Sequence, residues 1–129
     1  NEMLRHIDGR RDLGIHTDVI CDSIVDLIER GIITGQAKSI HRGQIVTSYC
    51  LGTQRLYDLI DNNPLFAFHP IEYVCDPAVI SKNNKMVSVT QAQAVDLMGQ
   101  VCSDQFGGEF HSGVSTKACM PSTCSGCRP

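Results

Sequence analysis

The sequence predicts a fold of the α/β or α+β class, with helices alternating with a mostly buried sheet. Three observations carry that expectation. Ile20, Ile24, Leu27 and Ile28 recur at the spacing of one helix face. The stretch 45–52 (IVTSYCLG) is rich in β-branched residues and is bounded by Gly43 and Gly52, as a buried strand would be. Helical and strand patterns then follow one another along a chain of 129 residues, about one domain long.

Residues 1–14 are polar and charged, punctuated by Gly9 and Gly14. The first helix is predicted over 18–30, with Thr17 or Asp18 as its cap and Gly31 as its stop. Residues 34–43 read as a connection with a basic tint, leading into the strand at 45–52. Thr53 is placed to cap a short helix through 62, with Leu56, Leu59 and Ile60 inward; Asn62-Asn63-Pro64 ends it. After Pro70, residues 71–75 (IEYVC) read as a short strand. Asp76 caps a one-turn helix that opens with Pro77 and runs to Ser81. The KNNK run is a polar turn. Residues 86–90 and 94–102 alternate apolar and polar residues, which is strand periodicity. Residues 91–93 form either a bend between two strands or part of one long strand. From Gly107 the patterning dissolves. No repeat period and no second domain is apparent.

Composition excludes several classes. Eleven Lys+Arg against fourteen Asp+Glu give a net charge of -3, so nothing supports nucleic-acid binding. No apolar run approaches the ~20 residues that span a bilayer, and the N-terminal stretch lacks a secretory core. Seven cysteines, an odd number, argue for a reducing cytoplasm rather than a disulfide scaffold. Cys21, Cys50, Cys75 and Cys102 are expected to fill core space. Cys119, Cys124 and Cys127 crowd a tail with little apolar content, expected to be flexible. Their spacing with His111 matches no complete zinc finger, so no metal site is expected.

Two stretches carry candidate chemistry. In LGIHTD (13–18) an imidazole and a carboxylate, His16 and Asp18, lie two residues apart. A carboxylate there can be nucleophile or base, or simply a helix cap. In GQVCSDQFGG (99–108), Gly99, Gly107 and Gly108 allow close backbone approach to a ligand, and Gln100 and Asp104 can orient polar groups. The alternative is a plain strand end and loop. Arg55 beside Tyr57 reads as a solvated helix face. His41, His69 and His111 are isolated in sequence. No phosphate-loop, GxGxxG, HExxH or GxSxG pattern occurs.

These residues also carry a resemblance. The runs LGIHTD, LGTQRLYDLIDNNP, YVCDP and VDLMGQV, in that order between Leu13 and Val114, resemble the acetyl-CoA hydrolase/transferase family. That family includes 4-hydroxybutyrate, butyrate and succinyl-CoA:acetate CoA-transferases. The resemblance implies an incomplete CoA-transferase C-terminal domain of α/β class over 1–114, its sheet mixed or parallel and flanked by helices. Residues 115–129 would then be a non-homologous tail.

It further implies acyl-CoA and small carboxylates as partners, no bound cofactor, and covalent catalysis through a carboxylate that takes up the acyl group. The family places a glutamate after His-Thr; here the position is Asp18, one methylene shorter. His16 would position it, and Gln100, Asp104, Gly107 and Gly113 would line the substrate side. After Gly113-Val114 the family's Gly-Gly turn, an oxyanion-hole element, is not matched. A missing donor of that kind removes about 2.7–4 kcal/mol of transition-state stabilisation. The abrupt change reads as a frameshift or recombination junction. The expectation is therefore weak or no activity alone, in a cytoplasmic homo-oligomer. The alternative is a non-catalytic oligomerising or CoA-binding module.

Overall fold

The computed structural model describes residues 3–7, 9–89, 94–102, 105–106 and 109–110. The chain divides into two compact units, residues 1–84 and 85–129.

The first unit is built on parallel strands. β1 (Val19–Ile20) pairs in parallel with β3 (Tyr49–Cys50), and β2 (Ile45–Thr47) pairs in parallel with β4 (Phe66–Phe68). A parallel bridge between His16 and Val46 continues the first pairing backwards in the same register. The amide N–H groups of Ser48 and Tyr49 both donate to the Asp18 carbonyl, at 3.0 and 3.1 Å. That shared acceptor kinks the predicted strand at Ser48 and divides it into β2 and β3.

Parallel neighbours need crossovers, and the helices supply them. A 3₁₀ turn (Asp22–Ile24) and α1 (Val25–Glu29) follow β1; α2 (Gln54–Ile60) joins β3 to β4. Ile20, Ile24, Val25, Leu27, Ile32, Ile33, Ile45 and Leu56 form one buried cluster, so the i, i+3, i+4 pattern does mark the core face. The helix starts later than the sequence suggests. Residues 19–20 spend their backbone hydrogen bonds on the sheet, and the cap position, Cys21, makes no capping bond through its side chain. Gly31 ends α1 at φ +68°, a conformation that favours glycine.

At α2 the cap is supplied from outside. Thr53 occupies the cap position without a capping bond of its own. The Asp22 carboxylate instead accepts the Thr53 N–H at 3.0 and 3.1 Å and the Thr53 hydroxyl at 2.8 Å. Gly52 makes this approach possible. A Cβ there would lie 2.8 Å from both Asp22 Oδ1 and Leu56 Cδ2.

Residues 71–75 correct the sequence reading. They form a helical turn, α3 (Ile71–Val74), with the Cys75 N–H donating to the Ile71 carbonyl at 2.9 Å. Pro70 cannot donate to a ladder and its φ of -54° suits a helix entry, which outweighs the β-favouring Ile, Tyr and Val. α4 (Pro77–Ile80) follows as predicted, with Asp76 accepting the Ala78 N–H at 2.8 Å. α3 packs on β2 and on α4, and Val46, Val74, Val79 and Ile80 are buried.

In the second unit, residues 86–89 form no strand, and Thr90 lies outside the described residues. Residues 94–102 are a hairpin rather than one strand. β5 (Ala94–Val95) pairs antiparallel with β6 (Val101–Cys102). Asp96 Oδ1 accepts the N–H groups of Met98 and Gln100, each at 2.8 Å, and Gly99 sits at φ +85°. This Asx-type turn overrides the alternation. β7 (Gln105–Phe106) and β8 (Glu109–Phe110) pair antiparallel. Cys21, Cys50, Cys75 and Cys102 are half-buried thiols, not fully buried core residues. Residues 115–129, including Cys119, Cys124 and Cys127, lie outside the described residues.

Candidate functional site

Asp18 sits at a bend just before β1, not at a helix start. Its carbonyl also accepts the buried Thr47 hydroxyl at 3.2 Å, so its backbone is fixed from the neighbouring strand. Its carboxylate is half-buried and turned back on its own chain. Oδ1 accepts the Val19 N–H at 2.9 Å and the Thr17 hydroxyl at 3.3 Å. A carboxylate held this way is oriented, with little reach. Ser48, opposite Asp18 in register, has a buried hydroxyl with no partner among the described residues.

His16 does not bond the Asp18 carboxylate in this arrangement. Its Nε2 donates to the Val74 carbonyl of α3 at 2.7 Å, while its Nδ1 is buried without a partner among the described residues. Burial holds the His16 imidazole below its ordinary pKa, against the raising effect of the Val74 carbonyl; Lys38, His41 and His69 lower it further.

The fold gathers groups that look unrelated in sequence. His41 Nε2 lies 2.6 Å from the Tyr73 hydroxyl. The rings of His41 and His69 are 5.0 Å apart, and that of Tyr73 is 5.7 Å from His41 and 4.7 Å from His69. Burial, then His69 and Lys38, push the His41 imidazole down, with Gln44 opposing. Lys38 donates from Nζ to the carbonyls of Ile15 and Gln44, both at 2.9 Å, and burial pushes its ammonium down to about 8. Separations of 28 and 32 residues hide this cluster from any local pattern; only the parallel β2–β4 pairing brings His69 beside the 38–44 loop.

Gln100 lies in the second unit, where its N–H closes the Asp96 turn. Asp104, Gly107 and Gly113 lie outside the described residues. Arg55 is an exposed surface group, paired with Asp26 at 2.8 Å and Glu29 at 2.6 Å. An open cavity of about 300 Å³ is lined by Gly9, Arg10, Arg11, Arg30, Gly31 and Ile32, and includes neither Asp18 nor His16. No group of three or more His, Cys, Asp or Glu residues among the described residues is arranged to hold a metal ion. No helix among them is long and apolar enough to cross a membrane.

Comparison with known proteins places these features. The acetyl-CoA hydrolase/transferase C-terminal domain matches residues 52–119, just over half of the chain. The 4-hydroxybutyrate coenzyme A transferase of Clostridium kluyveri is 41% identical over 112 residues, covering 87% of this chain and 26% of that protein. The succinyl-CoA:cyclohexane-1-carboxylate CoA transferase of Geobacter metallireducens is 39% identical over 118 residues, covering 92% and 27%. Among solved structures, 4-hydroxybutyrate CoA-transferase from Porphyromonas gingivalis superposes with a TM-score of 0.75 at 42% identity, over 77% of this chain and 26% of that one. RipA from Yersinia pestis superposes with a TM-score of 0.74 at 33% identity, over 92% and 26%. The chain thus spans about a quarter of the length of these relatives. The fold is α/β, and the chain belongs to the acetyl-CoA hydrolase/transferase family as part of its C-terminal domain.

Proposed function

We propose that this chain is an acyl-CoA:carboxylate CoA-transferase-type domain in which Asp18 is the acyl-accepting carboxylate. The observation that carries the reading is the fixed, half-buried Asp18 at the position where the family motif has glutamate. In the reaction this implies, a carboxylate oxygen attacks the thioester carbonyl, the C–S bond breaks, and CoA leaves as thiolate. The acyl group is then held as a mixed anhydride, so one difficult transfer becomes two easier ones.

The aspartate shortens that reach by one methylene, about 1.5 Å, and misplacement near 1 Å can cost about 10²-fold. The bonds from Val19 and Thr17 hold Oδ1 back further. We therefore expect little or no transfer from acetyl-CoA to butyrate by this chain alone. Steady-state thioester assays test this. A clear turnover that disappears in Asp18→Ala would overturn the reach argument while keeping Asp18 as the acceptor. A turnover unchanged in Asp18→Ala would overturn the assignment. Gln100, Asp104, Gly107 and Gly113 belong to this reading as substrate-side groups, acting on soluble thioesters in the cytoplasm with no resident cofactor.

One observation favours a second reading, a non-catalytic module that binds CoA or associates with copies of itself. In the second unit Val87, Val89, Val95, Leu97, Met98 and Val101 are exposed, with Leu97 and Met98 almost wholly so at the hairpin tip. Light scattering decides between a monomer and an oligomer. Calorimetry with CoA separates a retained thioester site, with micromolar binding, from a pure assembly role with none.

A further inference from the structure

His16 and His41 grip consecutive residues of the same short helix. His16, from the segment before β1, bonds the Val74 carbonyl; His41, from the loop before β2, bonds the Tyr73 hydroxyl. α3 closes over the sheet through these contacts and through Val74, which is 2% exposed. We propose that His16 and His41 form a two-point imidazole latch that clamps α3 to the segment before β1 and to the loop before β2 at neutral pH and loosens it on acidification.

The chemistry of each contact sets the direction. His16 donates to a carbonyl through Nε2, so the neutral ring carries its lone pair on Nδ1, buried and without a partner among the described residues. A second proton would land on that Nδ1. It would create a buried donor with nothing to bond, a costly arrangement. Neutral His41 accepts the Tyr73 hydroxyl proton. Protonated His41 becomes the donor instead, and its charge sits 5.0 Å from the His69 ring.

Among the described residues, the groups that shift the two rings are basic or neutral. Lys38 and Gln44 come from the loop before β2, His69 from the end of β4, and Tyr73 from α3. The acidic side chains nearest in sequence on α3 and its exit are Glu72 and Asp76. Glu72 is exposed, and Asp76 is engaged in capping α4. Neither contributes to the His16 or His41 titration.

Both imidazoles are held below their ordinary value near 6.5, with burial the first cause in each case. With α3 undocked, the two rings therefore take up protons at a higher pH than with α3 docked. Docking is intact above that value and weakens as pH falls through and below it. The latch stands whether or not Asp18 accepts an acyl group; only its consequence at Asp18 rests on the proposed function.

Amide hydrogen exchange on the full chain tests the latch without any activity readout. The reporters are Val74 and Cys75 in α3, and the reference is Asp61, bonded to Tyr57 at the end of α2. After correction for intrinsic rates, lowering pH from about 7.5 to about 5.5 should reduce α3 protection relative to Asp61, because the undocked rings then hold protons that the docked rings bind more weakly. The His16→Gln/His41→Gln variant keeps an amide donor at position 16 and an amide acceptor at position 41 and removes the titration, so its ratio should stay flat. A constant ratio in the wild type overturns the latch, needing no variant. A pH-dependent loss that persists in the glutamine variant overturns the assignment to these two rings.

Discussion

Gly52→Ala is the sharpest test of how the first unit is assembled. The new methyl would meet Asp22 Oδ1 and Leu56 Cδ2 at 2.8 Å and Asp22 Cγ at 3.0 Å. Leu56 is fully buried and cannot retreat into solvent. Asp22 can swing away only by releasing Thr53. Overpacking of this kind costs about 1–3 kcal/mol, or roughly 4–12 °C in melting temperature for a domain of this size. Far-UV circular dichroism melts supply the assay. Leu56→Val removes part of the obstruction, so the double variant should be less destabilised than the sum of the single changes. Gly31→Ala is the control for backbone strain alone, because nothing lies within 4 Å of its Cβ position at φ +68°. A Gly52→Ala protein that melts with the wild type, or strict additivity with Leu56→Val, would refute the reasoning.

Further expectations concern charge and the hairpin. The Thr53 N–H and hydroxyl hold the Asp22 carboxyl below its usual range, so its contribution is present at neutral pH and lost as pH falls through the depressed value. Asp22→Asn should flatten the acid limb of a stability–pH curve; an unchanged limb would contradict the cap. Burial lowers Lys38 to about 8 from 10.5, so stability should climb across that interval as the unfolded chain alone remains protonated. After solvent screening at this half-exposed group the gain is no more than about 1–2 kcal/mol. Urea titrations at both ends should show a smaller climb in Lys38→Gln. Asp96→Ala removes the acceptor of the Met98 and Gln100 amides, so exchange at those two sites should accelerate while α2 stays protected. Unchanged exchange would mean that the turn does not depend on Asp96.

Much of the first unit was legible because its signals are local. The Ile20–Ile28 spacing, the glycine-bounded strand and the Asp76-Pro77 start each depend on neighbouring residues alone. Three failures share a cause in longer-range pairing or turn chemistry. Val19 and Ile20 look helical until Tyr49 and Cys50 are available as strand partners. Residues 66–68 carry no alternation, yet form β4 because β2 offers a parallel edge. Residues 94–102 alternate like one strand, yet Asp96 folds them into a turn. Asp18 and His16 stand out as candidates because they share a contiguous motif. The cluster of Lys38, His41, His69 and Tyr73 does not, since no spacing rule links a loop, a strand end and a helical turn.

The acyl-acceptor reading is tested most directly by mass spectrometry of position 18. The full chain and its Asp18→Glu and Asp18→Ala variants would be exposed to acetyl-CoA, quenched, digested and mapped for acyl or CoA adducts. We expect an adduct on residue 18 in Asp18→Glu, where the carboxylate regains its reach. The wild type should show much less, and Asp18→Ala none. An adduct that persists elsewhere in Asp18→Ala, or its absence from Asp18→Glu, would contradict the assignment of the carboxylate at position 18.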